Sequence, residues 1–278
     1  MPATCRRIFC VARSTSGVRR FTAEYLEATR EGMWEDSREA LADLALGRCE
    51  LVLDVGAGTG ELTGVLREGT PGEVVALDAD SDLLASVPAP RVLGDATRLP
   101  FRDNAFDLVV CQALLVNLPE PEHALGAFAR VSSDRVAVVE PDNSAVRIDS
   151  TVPDEPPLAR RARELYLDAV GTDASIGDAR DLFERAGLSE VTVRRYDHER
   201  AIEPPYSERA VESARRKASG AGLDTDRETI LAGGTTPQEF DDLRQEWRAM
   251  GREAAAQMQD GEYRQREVVP FFVTVGHV

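Results

Sequence analysis

Residues Leu51-Val52-Leu53-Asp54-Val55-Gly56-Ala57-Gly58-Thr59-Gly60 put an acid at the end of a short apolar run and follow it with three alternating glycines. An acid there can accept hydrogen bonds or meet a cation, and glycines let a backbone come close to a ligand. Glu61-Leu62-Thr63 then opens a helix-like stretch. Strand, tight turn and helix together are the geometry of a nucleotide-binding α/β fold. The glycine spacing selects among nucleotides. Dinucleotide sites use G-x-G-x-x-G, whose third glycine lets helix and strand pack closely. Here the series is G-x-G-x-G, and Glu61 stands where that third glycine would fall. A carboxylate in the first helical turn also repels a pyrophosphate. The pattern favours a ligand without phosphates at this turn.

Further acids follow at informative places. Val74-Val75-Ala76-Leu77-Asp78 is a second buried strand ending in an acid, about twenty residues past the glycine turn, where a carboxylate can accept both hydroxyls of a ribose. Gly94-Asp95-Ala96-Thr97-Arg98-Leu99-Pro100-Phe101 is a polar segment with an acid near its start, and Phe106-Asp107-Leu108-Val109-Val110-Cys111-Gln112 is another buried strand. In this order the four segments resemble the motifs of class I S-adenosylmethionine-dependent methyltransferases, firmly over about residues 45–145 and more loosely to 200. The resemblance implies S-adenosyl-L-methionine as cofactor and S-adenosyl-L-homocysteine as product. It implies that Asp54 orients the methionine amino group, that Gly56, Ala57, Gly58 and Gly60 admit the methionyl part, and that Asp78 and Ala79 lie at the ribose. Asp95 then meets the adenine amine, the Ala96 backbone meets the ring edge, and Gln112 faces the methionine end. Tyr25-Leu26-Glu27-Ala28-Thr29-Arg30-Glu31-Gly32-Met33-Trp34 resembles the family's cofactor lid, with Tyr25, Met33 and Trp34 as its contacts; packing on the sheet alone is the competing role.

The loop after the fourth strand separates subfamilies. Gln112-Ala113-Leu114-Leu115-Val116-Asn117-Leu118-Pro119-Glu120-Pro121 lacks the Asn/Asp-Pro-Pro-aromatic sequence of amine and nucleobase methylators. It looks more like the quinone-biosynthesis and small-metabolite type, whose loop often carries a His pair where this chain has Val116-Asn117. Apolar Ala113 to Val116 suggests an acceptor with a hydrophobic body. Asn117, and Asp142 and Asn143 at the carboxyl end of the fifth strand, are the candidate substrate contacts, since open α/β sheets bind ligands at that edge. No catalytic base is assigned. His123, His198 and His277 are the only histidines, and each reads as surface or structural.

These motifs need a sheet to hold them. Strands are expected near 50–55, 74–78, 91–94, 106–112, 135–140, 191–196 and 268–275, and helices near 61–68, 81–86, 121–131, 158–170, 178–186, 207–218 and 237–259. Alternation of strand and helix implies an α/β, Rossmann-like three-layer sandwich with a mostly parallel seven-stranded sheet. Residues 1–20 read as a disordered tail, with a targeting segment as the alternative; 21–46 form an N-terminal helical lid; 47–200 are the cofactor-binding core. Residues 201–266 are a helical cap inserted between the last two strands, with an oligomerisation element, and so a homodimer, as the competing use; 267–278 close the core.

Composition sets the rest. The 278 residues carry 49 acids against 33 basic residues, for a net charge of −16, and Lys217 is the one lysine. Acid excess with lysine depletion suits a halophilic cytoplasm; an arginine-rich coding bias is the alternative. The charge and the lack of a basic stripe argue against nucleic acid. No apolar run reaches the ~18 residues of a membrane span. Cys5, Cys10, Cys49 and Cys111 show no C-x-x-C spacing, so no metal site or disulfide framework is indicated, and a reducing cytoplasm fits. The reading that results is methyl transfer to O or C of a small, partly apolar metabolite. The alternatives are a nucleic-acid or protein methyltransferase, a non-catalytic S-adenosylmethionine-binding protein, and a nicotinamide oxidoreductase, the last disfavoured by Glu61.

Overall fold

The computed structural model describes residues 23–30, 32–170, 172 and 175–278. The expected tail at 1–20 lies outside the described residues. Contacts divide the chain into two units: residues 1–142, 175–196 and 270–278, and residues 143–174 and 197–269.

The first unit is built on a sheet. Strands β1 (Leu51–Val55), β2 (Glu73–Asp78), β3 (Arg91–Leu93), β4 (Phe106–Gln112) and β5 (Ser132–Pro141) run parallel in the order β3-β2-β1-β4-β5. Strand β8 (Gln265–His277) joins β5 antiparallel through Phe271–His277, and β7 (Ser189–Ile202) pairs with β8. These seven strands make the mostly parallel sheet expected of the fold; the sheet counts eight with β6 (Arg147–Ser150), which also pairs with β8. The parallel strands are near-continuous apolar runs because both faces are covered. Side chains alternate between the faces. Leu53, Val55, Val109 and Cys111 enter one core, with α5 (Pro121–Val131) and α7 (Arg180–Arg185) supplying Leu125, Phe128 and Phe183. Val52, Leu108, Val110, Val139 and Phe271 enter the other, with Leu62 and Leu66 of α3 (Glu61–Gly69). Helix α4 (Ser81–Leu84) is shorter than expected; Asp80 caps it by accepting from the N–H groups of Asp82 and Leu83.

The N-terminal segment is helical in pieces. Helices α1 (Ala23–Arg30) and α2 (Met33–Asp36) are separated by Gly32 at φ +75°, and 3₁₀ turns follow at Arg38–Leu44 and Leu46–Arg48. Leu41, Leu44 and Leu46 are buried, as the apolar spacing implied.

The second unit is larger than the 201–266 insertion. It contains α8 (Glu208–Ser219), α9 (Ala221–Asp224), α10 (Arg227–Ala232) and α11 (Pro237–Gln259), but also α6 (Glu155–Ala169) and the short strand β6 (Arg147–Ser150). Residues 143–174 therefore do not belong to the core assigned to 47–200. The reason is packing: Leu158, Ala162 and Leu165 of α6 cluster with Leu223, Ile230, Phe240, Leu243 and Tyr263. Strand β6 pairs with Gln265–Val268 of β8 and was not expected. Helix α11 starts with a capping box between Thr236 and Glu239. Helices α8 and α11 meet at Gly251, where a β-carbon would lie 2.3 Å from the Ala218 nitrogen. The unit also buries an ionic cluster. Glu155, 1% exposed, accepts hydrogen bonds from Ser150 Oγ (2.6 Å), Tyr263 Oη (2.9 Å) and the Lys217 ammonium. Burial, then the neighbouring Glu155 charge, pushes the Tyr263 phenol far above its ordinary range.

Candidate functional site

Parallel pairing brings the carboxyl ends of β1, β2, β3 and β4 to one edge of the sheet. Val55 stands opposite Leu77 and Cys111, and Asp78 opposite Leu93. Asp54, Asp78, Asp95 and Gln112 thus come from four strand ends along a single edge, as the motif order required.

The glycine turn is fastened from below and from the side. Gly56 and Ala57 donate their N–H groups to the Leu77 carbonyl at 2.7 and 3.0 Å, and Gly60 donates to Ala57 at 2.9 Å. Gly58 donates to Asp78 Oδ2 at 2.8 Å, while Asp78 Oδ1 accepts from the Asp80 N–H at 2.8 Å. One carboxylate therefore ties the turn after β1 to the turn after β2, with Ala79 exposed between its two anchors. Gly56, Gly58 and Gly60 have φ of +73°, +57° and +92°, which L side chains rarely adopt.

Asp54 lies behind the turn. It is 1% exposed and accepts from Thr63 Oγ1 of α3 at 2.5 Å. Burial pushes its carboxyl up to about 6, against the pull of the Thr63 hydroxyl and the Arg30 guanidinium. Asp95 is exposed; its Oδ1 accepts from the N–H and the hydroxyl of Thr97, both at 2.8 Å, and Ala96 is half-buried beside it.

Helix α1 covers this turn. Leu26 of α1 is buried, and its Cδ1 lies 2.9 Å from where a β-carbon on Gly58 would sit. Arg30, its side chain 9% exposed, pairs with Glu61 at 3.2 Å. Glu61 also accepts from the Thr59 hydroxyl at 2.5 Å. Its charge is thus answered by Arg30, and a phosphate here would have to break that pair. Met33 and Trp34 are buried; Trp34 meets the Phe271 ring edge-on at 6.2 Å. Tyr25 stands on α1, but its side chain lies outside the described residues.

Two buried polar atoms here lack hydrogen-bond partners: Gln112 Oε1 and Trp34 Nε1. Gln112 Nε2 reaches only the Met33 sulfur, at 3.2 Å. Orphaned buried polar atoms are costly unless something satisfies them. Gln112 follows Cys111, which stands opposite Val55 just before the glycine turn, so an unpartnered acceptor there fits a ligand's ammonium, and the unpartnered Trp34 donor fits a carboxylate. The residues present therefore fit S-adenosylmethionine.

The candidate substrate contacts are less coherent. Asn117 is buried, but its Nδ2 donates to the Ala113 carbonyl at 2.8 Å and closes the turn after β4. Asp142 donates its N–H to the Pro270 carbonyl at 2.9 Å, whereas Asn143 opens a 3₁₀ turn counted with the second unit. Of the histidines, His123 lies 3.1 Å from Glu120, His277 lies 3.2 Å from Asp134, and His198 is buried within β7.

Four residues of the site were given no role by the motif reading: Leu26, Arg30, Thr63 and Glu140. Glu140 had a signal, as the sole acid closing the apolar run Val136–Val139. Leu114 was read only with the apolar stretch facing the acceptor; its place over Gly56 is tertiary.

Residues 53–138 match the family model described as a methyltransferase domain. The chain is similar to a demethylmenaquinone methyltransferase of Lactiplantibacillus plantarum, at 33% identity over 132 residues covering 43% of this chain and 53% of that protein. It is similar to a demethylmenaquinone methyltransferase of Mycolicibacterium paratuberculosis at 40% identity over 92 residues, 32% of this chain and 40% of that one. The chain thus spans about half, or less, of the curated relatives it matches. Among solved structures, a candidate methyltransferase of Bacillus halodurans aligns with a TM-score of 0.50 at 16% identity, over 87% of this chain and 98% of that one. That likeness shows the fold: a mixed α/β, Rossmann-like sandwich.

Proposed function

We propose that this chain is a class I S-adenosylmethionine-dependent methyltransferase acting on O or C of a small, partly apolar metabolite. The observation that carries the reading is the Asp78 carboxylate at the end of β2, fastened to the Gly58 N–H at 2.8 Å. In this reading the acid for the ribose hydroxyls lies directly beside the turn that would admit the methionyl part. The methyltransferase-domain match over 53–138 supports it.

S-adenosylmethionine, when bound, supplies a methyl already activated on a sulfonium, so the protein's work is to hold two reactants in line and exclude water. In this reading Asp54 and Gln112 Oε1 face the methionine ammonium, Trp34 Nε1 donates to its carboxylate, and Asp78 accepts from the ribose. Asp95 and Ala96 meet the adenine. Leu26 and Arg30 of α1 exclude water from the turn. Half-buried Leu114, beside Gly56, gives the site an apolar wall, and the relatives' names make a demethylated quinol the first acceptor to try.

Calorimetric titration with S-adenosylmethionine, S-adenosylhomocysteine and NAD tests this directly. Binding of the first two and none of NAD is expected; tight NAD binding without a response to S-adenosylmethionine overturns the assignment. Turnover is then followed against quinols and phenols. A cytoplasmic location suits the buried free thiols of Cys49 and Cys111. A homodimer through the helical unit is the assembly to look for, by sedimentation.

A further inference from the structure

The turn after β4 is built on one buried acid. Glu140, at the end of β5, is 0% exposed. Its Oε1 accepts from the N–H groups of Leu114 at 3.0 Å and Leu115 at 2.9 Å, and its Oε2 accepts from Val116 at 3.3 Å. The Cys111 thiol lies 3.7 Å from Oε1. Successive backbone N–H groups converging on one carboxylate form an anion nest, here closed by the protein's own side chain.

The core does not need an acid at this position. Val136, Ala137, Val138 and Val139 precede it and are fully buried, and an apolar residue would continue their run. An ionised carboxylate stripped of water is unfavourable unless it is fully hydrogen-bonded. What it holds is specific. The chain leaves β4 through Ala113 at φ +49°, a left-handed conformation that an L side chain adopts only under constraint. Ala113 is pinned by donating its N–H to the Val139 carbonyl at 2.8 Å and by accepting from Asn117. The next residue, Leu114, then lies over the glycine turn, its Cδ1 3.0 Å from where a β-carbon on Gly56 would sit.

We propose that Glu140 is a positioning residue: it holds the turn after β4 in the strained form that keeps Leu114 over Gly56, and so shapes the wall of the S-adenosylmethionine site. This rests on the methyltransferase reading. Glu140 touches neither cofactor nor acceptor; it acts through Leu114. Only a carboxylate can accept from all three N–H groups, because the amide of a glutamine turns a donor toward Val116.

The test is titration with S-adenosylhomocysteine, with thermal unfolding alongside, on the full chain as wild type, Glu140→Gln, and Glu140→Gln combined with Ala113→Gly. At pH 8, above the value of about 7 to which burial pushes the Glu140 carboxyl, putting a donor in place of the Val116 acceptor should weaken binding about tenfold in Glu140→Gln. Glycine takes φ +49° unaided, so adding Ala113→Gly should recover most of that affinity without recovering thermal stability. Wild-type affinity in Glu140→Gln, or a loss that glycine leaves unchanged, overturns the proposal while the methyltransferase reading stands. If the wild type binds no S-adenosylhomocysteine, that reading falls and takes this proposal with it. Should Glu140→Gln not fold, Leu114→Ala keeps every bond to Glu140; unchanged affinity in that variant also overturns the proposal.

Discussion

At the scale of single residues, the site is an exercise in placing acids where water is scarce. Asp54 carries a carboxyl pushed up to about 6 by burial, above the ordinary aspartate value of 3.8. A carboxyl with a raised folded pKa binds its proton more tightly folded than unfolded. The stability it contributes is complete below about pH 4 and is lost as pH rises through about 6. Asp54→Asn should therefore flatten the fall in stability between pH 4 and pH 7, by up to about 3 kcal/mol at the upper end. Urea unfolding of both proteins across that range checks it; parallel curves would contradict it. Gly58 is a second test. An alanine there meets Leu26 Cδ1 at 2.9 Å and must hold φ +57°. Gly58→Ala should weaken S-adenosylhomocysteine binding by tenfold or more, while far-ultraviolet circular dichroism stays unchanged. The glycine turn and its acids were legible because the turn needs residues without side chains, and those are visible as letters. Leu26 and Arg30 were not: the α1 sequence marks a helix with an apolar side but not the turn that side covers.

Secondary-structure elements follow the same division. Parallel strands buried on both faces are written as unbroken apolar runs, so β1, β2 and β4 were found nearly to the residue, while β5 begins three residues before its expected start, in polar Ser132-Ser133-Asp134. Strand β6, Arg-Ile-Asp-Ser, is four residues long, polar at both ends, and carries no such run. Helix α6 was seen as a helix, but its membership was not, since Leu158 and Leu165 would suit a sheet face as well as the helices they pack on. Close approach between elements is equally silent in sequence until a glycine marks it. A β-carbon at Gly251 would lie 2.3 Å from backbone atoms of Lys217 and Ala218. Since those atoms are backbone, α8 as a whole would have to shift. Gly251→Ala should lower thermal stability by about 2 kcal/mol or more despite alanine's better helix propensity. A neutral or stabilising result would mean that the two helices separate freely.

For the molecule as a whole, charge is the governing quantity. A net −16 spread over 278 residues repels itself, and salt shortens the range of that repulsion from about 30 Å at 0.01 M to about 3 Å at 1 M. The melting temperature should rise between low and molar KCl, and no gain would remove the halophilic interpretation. Lysine depletion has another consequence, for chemistry done to the protein rather than by it. The single lysine is committed to Glu155 inside the helical unit, with its side chain 14% exposed, while Cys49 and Cys111 are sealed in the sheet unit. Acylation of the Lys217 peptide and alkylation of the two cysteine peptides, both timed by mass spectrometry, are therefore separate clocks. One records how often the helices open, the other how often the sheet does, with no probe added to the chain.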